Sequence, residues 1–397
     1  MRKLILVAIA AWLLYMVGCT PSKIYNKTPE QYITQVATAE KDGVGVDLAI
    51  IEFDEFGMLW DRAQLDDTLR LIKRRNAEST RGISLMTYTH GWMNNADPED
   101  ENGDLVEVRN SAKELSKKFH SRGAPFPDHI IQVYLSWRGK SINIPGLSTL
   151  SFWARKTAAE RVASYQMREA LFQLGRTARL NPDSKVMLSG HSMGGMILAQ
   201  TLSPSLSTGL IANGKRGIRF FADLVVLQNP ALDGLSVYQF VEYLKRTGTV
   251  AELRYTDGRI EAAPGPIIAS ITSKADWVTE IAFAAGEMVG NLNNSFRNLS
   301  GKGELYSQKK LANNAHGHIG HLISHRAWIE NDEIKLERVT DAYNDTPFWI
   351  INVSSEISDS HGDIHNPRFA KLIERLIHAN GLFDKDVETW ITTTKVP

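Results

Sequence analysis

The chain has 397 residues, 43% of them apolar and 23% charged, which is ordinary for a globular protein with a large core. Lys plus Arg and Asp plus Glu number 45 each, so the formal net charge is zero and the basic face that a nucleic-acid partner requires is not expected. The lone cysteine, Cys19, excludes an intrachain disulfide and any cysteine-based metal site.

In chain order, Arg2 and Lys3 precede an apolar run from Leu4 to Val17, followed by Gly18 and Cys19. That is the charged, apolar, small-residue order of a secretory signal, and it falls short of the roughly 20 apolar residues of a spanning helix. Met16-Val17-Gly18-Cys19 resembles a bacterial lipobox, with Met16 where leucine is usual. The resemblance implies a signal peptide over 1–18 and lipidation of Cys19. It also implies a mature chain held by a lipid anchor on a membrane of the bacterial cell envelope. Thr20, in place of the aspartate that retains lipoproteins in an inner membrane, implies the outer one. The alternative is an ordinary cleaved signal with an incidental cysteine. Residues 19–44 are polar and hold Pro21, Pro29 and Gly43, as a tether would.

From residue 45 onward, strand and helix patterns alternate. Strands are expected at 46–53, with 56–60 as a hairpin partner, and at 83–89, 130–137, 185–189, 220–228, 266–272 and 348–354. Helices are expected at 63–77, 104–120, 155–179, 193–202, 236–246, from Asp276 onward, and at 367–378. Arg70, Lys73, Arg74 and Arg75 lie on the first of these helices and read as a solvated face. The stretch 285–345 is irregular and rich in Asn, Gly and His. The alternation predicts an α/β fold, a mostly parallel sheet with helices on both faces, in one domain over 45–397. The 285–345 stretch reads as a cap insertion that passes near the pocket.

Gly190-His191-Ser192-Met193-Gly194-Gly195 falls between a strand and a helix. A sharp strand-to-helix turn strains the serine backbone and leaves no room for a Cβ at the flanking glycines. This G-x-S-x-G pattern in that context resembles the nucleophile turn of the α/β-hydrolase family. The resemblance covers roughly residues 45–380 and points to bacterial esterase- or lipase-like members. It implies Ser192 as nucleophile, with the Met193 N–H facing a developing oxyanion. A second oxyanion donor is expected in the loop after an earlier strand, where His90-Gly91-Trp92 nominates the Trp92 N–H, with Gly91 allowing close approach. His90 itself reads as a brace for that loop.

The family order is serine, then acid, then histidine. Asp276, just after the 266–272 strand, is the expected acid, and Asp233, after the preceding strand, its rival. His361 in Ser360-His361-Gly362 is the expected base, with His365 second because Asn366-Pro367 commits it to a helix start. His316, His318, His321 and His325 crowd one segment, but no carboxylate sits among them, and a lid or loop is expected there and no metal.

By resemblance the chemistry is acyl transfer to water from a small-molecule or lipid ester, with no cofactor. Fold likeness alone does not choose among esterase, lipase, thioesterase and amidase. A non-catalytic envelope scaffold with this fold and an acyltransferase remain as alternatives. A dinucleotide site is disfavoured, since no G-x-G-x-x-G follows the first strand.

Overall fold

The computed structural model describes residues 20–38, 44–122, 127–142, 151–213, 221–247, 252–254, 260–262, 265–296, 307–339 and 346–380. In chain order the elements are α1 (Pro29–Tyr32), β1 (Ile33–Ala37), β2 (Gly45–Glu52), α2 (Arg62–Glu78), β3 (Ile83–Thr89), α3 (Asp104–Arg122) and β4 (His129–Ser136). Then come α4 (Phe152–Val162), α5 (Tyr165–Ala178), β5 (Lys185–His191), α6 (Met193–Asn213), β6 (Leu224–Gln228) and α7 (Gly234–Thr247). The last are β7 (Glu252–Arg254), β8 (Ile260–Ala262), β9 (Ile268–Ser273), α8 (Phe283–Gly290), α9 (Gln308–Asn313), β10 (His325–Glu330), β11 (Glu333–Arg338), β12 (Phe348–Val353) and α10 (Pro367–Ala379).

β2, β3 and β4 are buried at every position. The period of two sorts their side chains onto two faces. Ala49 and Ile51 of β2 join one core with Leu65 and Ile72 of α2, Leu171 of α5 and Ile197 of α6. Val46, Leu48 and Ile50 join the other, with Leu105 and Val108 of α3 and Phe369 and Leu372 of α10. Strands covered on both sides have no solvated face, so the polar residues they carry, Asp47, Glu52, Thr87 and Gln132 among them, are buried with the apolar ones.

The main sheet runs β1-β2-β4-β3-β5-β6-β9-β12-β10-β11. Its two edge pairs, β1 with β2 and β10 with β11, are antiparallel, and its inner pairs are parallel. This is the expected α/β architecture with a mostly parallel, open sheet. The chain leaves β3 toward β4 on one side and leaves β5 toward β6 on the other. Their loops part there, and a crevice opens beyond the carboxyl ends of β3 and β5. His90-Gly91-Trp92 and Ser192 both lie at that opening.

Four expectations change. Residues 20–37, read as part of a tether, are built into the body: Tyr25 and Asn26 N–H donate to the buried Glu52 carboxylate at 2.9 and 2.8 Å, and β1 pairs with β2. A polar segment can pack when a buried acceptor and a sheet edge take its donors. Residues 56–60 form a turn with a single bridge, Phe53 to Leu59, because Asp54 Oδ1 accepts from Phe56 and Met58 N–H. The 155–179 helix is two helices, α4 and α5. A Cβ on Gly57 would lie 2.4 Å from Ser164 Oγ, so the 53–60 loop packs into the break. Within 285–345, β10 and β11 extend the main sheet; their charged edge positions hid the alternation.

Cys19 and the residues before it lie outside the described residues, and among those described no helix is long and apolar enough to cross a membrane.

Burial pushes the Glu52 carboxyl up despite its donors Tyr25, Asn26 and Gln64. Glu52→Ala should leave those donors buried without an acceptor and cost about 1–3 kcal/mol in denaturant unfolding. The 20–37 segment should become cleavable by protease before the body does. Cleavage unchanged from wild type would mean that Glu52 does not hold this segment.

Candidate active site

β5 ends at His191 and α6 begins at Met193, so Ser192 alone makes the turn. Its φ of 53° is in the left-handed region, where a non-glycine residue is strained. The neighbours leave no choice. A Cβ on Gly190 would lie 2.6 Å from Gly194 O, and one on Gly194 would lie 2.1 Å from Thr89 O. The start of α6 is thereby pressed against the end of β3. The Met193 N–H belongs to the first helical turn, whose donors have no intrahelical acceptor. Gly91 is adjacent, since a Cβ there would come within 2.9 Å of Ser192 Cβ.

His361 follows β12 and reaches back over the turn: its Nε2 is 2.8 Å from Ser192 Oγ. Its Nδ1 is 2.9 Å from both oxygens of Asp276, which follows β9 and is fully buried. A carboxylate at Nδ1 assigns the proton to that nitrogen and leaves Nε2 to accept from the serine hydroxyl. Asp276 also accepts from the N–H groups of Val278 and Thr279 at 3.1 Å each and from the Thr279 hydroxyl. Burial by itself would raise this carboxyl. The His361 hydrogen bond and charge, with the Thr279 bonds, outweigh it and hold the group below the usual carboxylate range. A π-helical turn, Val278–Ala282, wraps these donors around the acid before α8.

Three partners, His191, Asn229 and Thr279, were not singled out in the sequence. His191 Nε2–H and Asn229 Nδ2–H both donate to the His361 carbonyl at 2.9 Å, fixing the backbone that carries the imidazole. Asn229, itself at φ 43°, accepts from Ser273 N–H at 2.9 Å and so joins the ends of β6 and β9 to the histidine loop. Thr279 Oγ1 lies 2.9 Å from His318 Nε2, which extends the chain of hydrogen bonds beyond the acid. Burial pushes His191 down to about 4, so it stays neutral beside His361 at pH 7. Only Thr279 had a local signal, a threonine three residues after an aspartate at a helix start. The other contacts are non-local.

His90 braces its loop: Nδ1 donates to Gly91 O at 2.9 Å, Nε2 accepts from Trp137 N–H at 3.1 Å, and its ring stacks on Trp137. Asp233 caps α7 by accepting from Ser236 N and Oγ at 2.8 Å each. His365 meets Asp104 at 3.9 Å, beside Asn366, whose side chain caps α10. The histidine group disperses. His316 binds Ser270 Oγ and Leu232 O, His318 binds Thr279, and His325 stacks on Trp349. Among the described residues no group of three or more His, Cys, Asp or Glu converges as metal ligands. An apolar cavity of about 240 Å³ lies further along α6, lined by Leu202, Leu206, Val237, Phe240 and Phe348, and neither Ser192, Asp276 nor His361 borders it.

A carboxyl lowered in the folded state stabilises the fold above its unfolded pKa, near 3.9, and loses that contribution as pH falls through its folded value. The stability difference between wild type and Asp276→Asn should therefore be largest above about pH 4 and shrink below it. Denaturant unfolding at several pH values checks this; a difference that grows on acidification would contradict an ionised Asp276.

No family model matches the sequence, and no curated protein does. Among solved structures the chain is similar to phospholipase PlaB from Legionella pneumophila in complex with thio-NAD, at a TM-score of 0.30 and 12% identity. The match covers 77% of this chain and 60% of that one, so the chain spans about three-fifths of that protein's length. At that TM-score the likeness assigns no activity.

Proposed function

We propose that the protein is a serine hydrolase of the α/β-hydrolase type that cleaves a carboxylic ester, in the first instance a lipid or acyl ester. The observation that carries this reading is the continuous contact from Ser192 Oγ through the His361 ring to Asp276. The chain order Ser192, Asp276, His361 and the strained serine at a strand-to-helix turn support it.

In this mechanism the Ser192 oxygen attacks the ester carbonyl carbon while His361 Nε2 takes its proton. Negative charge grows on the carbonyl oxygen and is met by the Met193 N–H and the Trp92 N–H, with Gly91 letting its loop approach Ser192 closely. One such donor is worth on the order of 10²–10³ in rate. The ester C–O bond breaks, the alcohol leaves with the proton from Nε2, and the acyl group stays on Ser192. Water then gives a proton to Nε2 and attacks the acyl carbon; the acyl–Oγ bond breaks, Nε2 returns the proton to Oγ, and the acid leaves. Asp276 holds the Nδ1–H tautomer and balances the imidazolium. No cofactor takes part.

Lipidation of Cys19 holds the protein on the outer membrane in this reading, and residues before β10 within 285–345 act as a cap. The contact of His318 with Thr279, beside the acid, supports the second point.

A fluorophosphonate should label the wild type once, on Ser192, and the label should vanish in Ser192→Ala and His361→Ala. Asp276→Asn should lose ester turnover on the order of 10⁴-fold, as the corresponding change does in a serine protease, while Asp233→Asn changes it little. Labelling that survives His361→Ala would point to another base, and absent labelling of folded protein would favour a scaffold. Added alcohol that diverts the acyl group into a new ester would mark an acyltransferase.

Fractionation tests the anchor: Cys19→Ala should be released from the membrane pellet by alkaline carbonate while the wild type resists, and equal resistance would place the anchor elsewhere.

A further inference from the structure

The exposed large apolar side chains gather at one end of the sheet. Phe56, Met58 and Trp60 stand in the loop after β2, and Trp153 stands in the first turn of α4, the helix after β4. After β9 come Trp277, Ile281, Met288, Val289 and Leu292, exposed by 59%, 63%, 54%, 68% and 76%. These segments all leave the carboxyl ends of parallel strands, where Ser192 and His361 also stand. Leu180, just before β5, is exposed at the opposite end.

The run from Trp277 through α8 is helical, and its outward side carries one charge, Glu280, among apolar residues. Thr279 and Phe283 face the body, while Ile281, Met288 and Val289 face outward. A helix on a globular surface ordinarily turns its polar side out. A Cβ on Gly286 would lie 1.4 Å from the Trp153 indole, so α4 and α8 are packed together and the two patches are continuous. Single exposed apolar residues need no explanation, but a contiguous patch marks a contact surface.

The N-terminal chain says what covers it. Thr20, the first described residue, donates its N–H to Ser141 O at 3.0 Å and accepts from the Arg138 guanidinium, both in the segment after β4. The residue before it is Cys19, the proposed lipidation site. The chain therefore emerges at the same end as the apolar rim. A protein partner would explain the rim but not this coincidence; a bilayer explains both. Trp60, Trp153 and Trp277 are also of the type that rests at a membrane–water interface, ring in the acyl region and N–H among headgroups.

We propose that this rim docks on a lipid bilayer, so that the opening at Ser192 faces the headgroup layer. This deepens the proposed function, on which it rests for its purpose: the ester would be drawn from the bilayer and not from water.

The single cysteine allows a direct test on the full chain. In a Cys19→Ser background, Met288→Cys or Ile281→Cys carries one nitroxide, and Leu180→Cys carries the comparison label. The probe is vesicles of phosphatidylethanolamine and phosphatidylglycerol. With the protein bound to them, the labels at 281 and 288 should become several-fold less accessible to a water-soluble nickel chelate and more accessible to oxygen. The label at 180 should stay aqueous. Labels at 281 and 288 as aqueous as that at 180 on bound protein would overturn the proposal, as would a full chain that does not bind the vesicles. Labels already shielded before vesicles are added would also overturn it, since protein would then cover the face. Fluorophosphonate labelling of Ser192 in the same samples reads the proposed chemistry separately, so failure of one is not failure of the other.

Discussion

Gly194 meets the carbonyl oxygens of Thr89 and His90 with no space for a side chain, and the geometry around Ser192 depends on that contact. It presses the first turn of α6 onto the end of β3, which forces the serine into a left-handed backbone and lifts it over the crevice between β3 and β5. The same approach brings Gly91 against Ser192 Cβ. A larger residue at 194 would separate helix from strand and move the hydroxyl, the Met193 N–H and the 90–92 loop at once. The backbone strain at Ser192 is held by the packing of its neighbours, as such strain must be to persist.

Two buried carboxyls show how surroundings decide ionisation. Glu52 and Asp276 are both enclosed and both accept several N–H bonds, yet the first is shifted up and the second down. The donors to Glu52 are neutral amides, which only partly offset the loss of water. Asp276 has an imidazole among its donors, whose hydrogen bond and charge favour the carboxylate and outweigh its burial. The same burial thus makes Glu52 a structural clasp for the N-terminal segment and Asp276 an anion aimed at His361.

What could be read from the sequence was what local sterics impose. Gly190, Ser192 and Gly194 declare a strained turn, and the apolar runs of β2, β3 and β4 declare a doubly covered sheet. The positions of Ser192, Asp276 and His361 were legible because each follows a strand of that sheet. The clamp of His191 and Asn229 on the His361 carbonyl was not legible, because it joins residues 132 and 170 apart in the chain. Nor was the packing of residues 20–37, whose polarity matches a solvated tether until the Glu52 carboxylate is seen to receive it. The break at Ser164 depends on a loop more than a hundred residues earlier. β10 and β11 were missed since an edge hairpin carries charge where a central strand carries valine.

That edge hairpin and β1 close the sheet in different ways. β1 is five residues long and bulged between Gln35 and Ala37, while β11 sets Glu333, Lys335 and Glu337 on alternate positions of its outer strand. A second copy pairing with either edge would have to follow a kinked, short template or strip water from a row of charges. A ten-stranded open sheet would otherwise be a ready seed for strand-by-strand polymerisation. Among the described residues, neither edge of the main sheet therefore offers crowded copies a flat template on which to join.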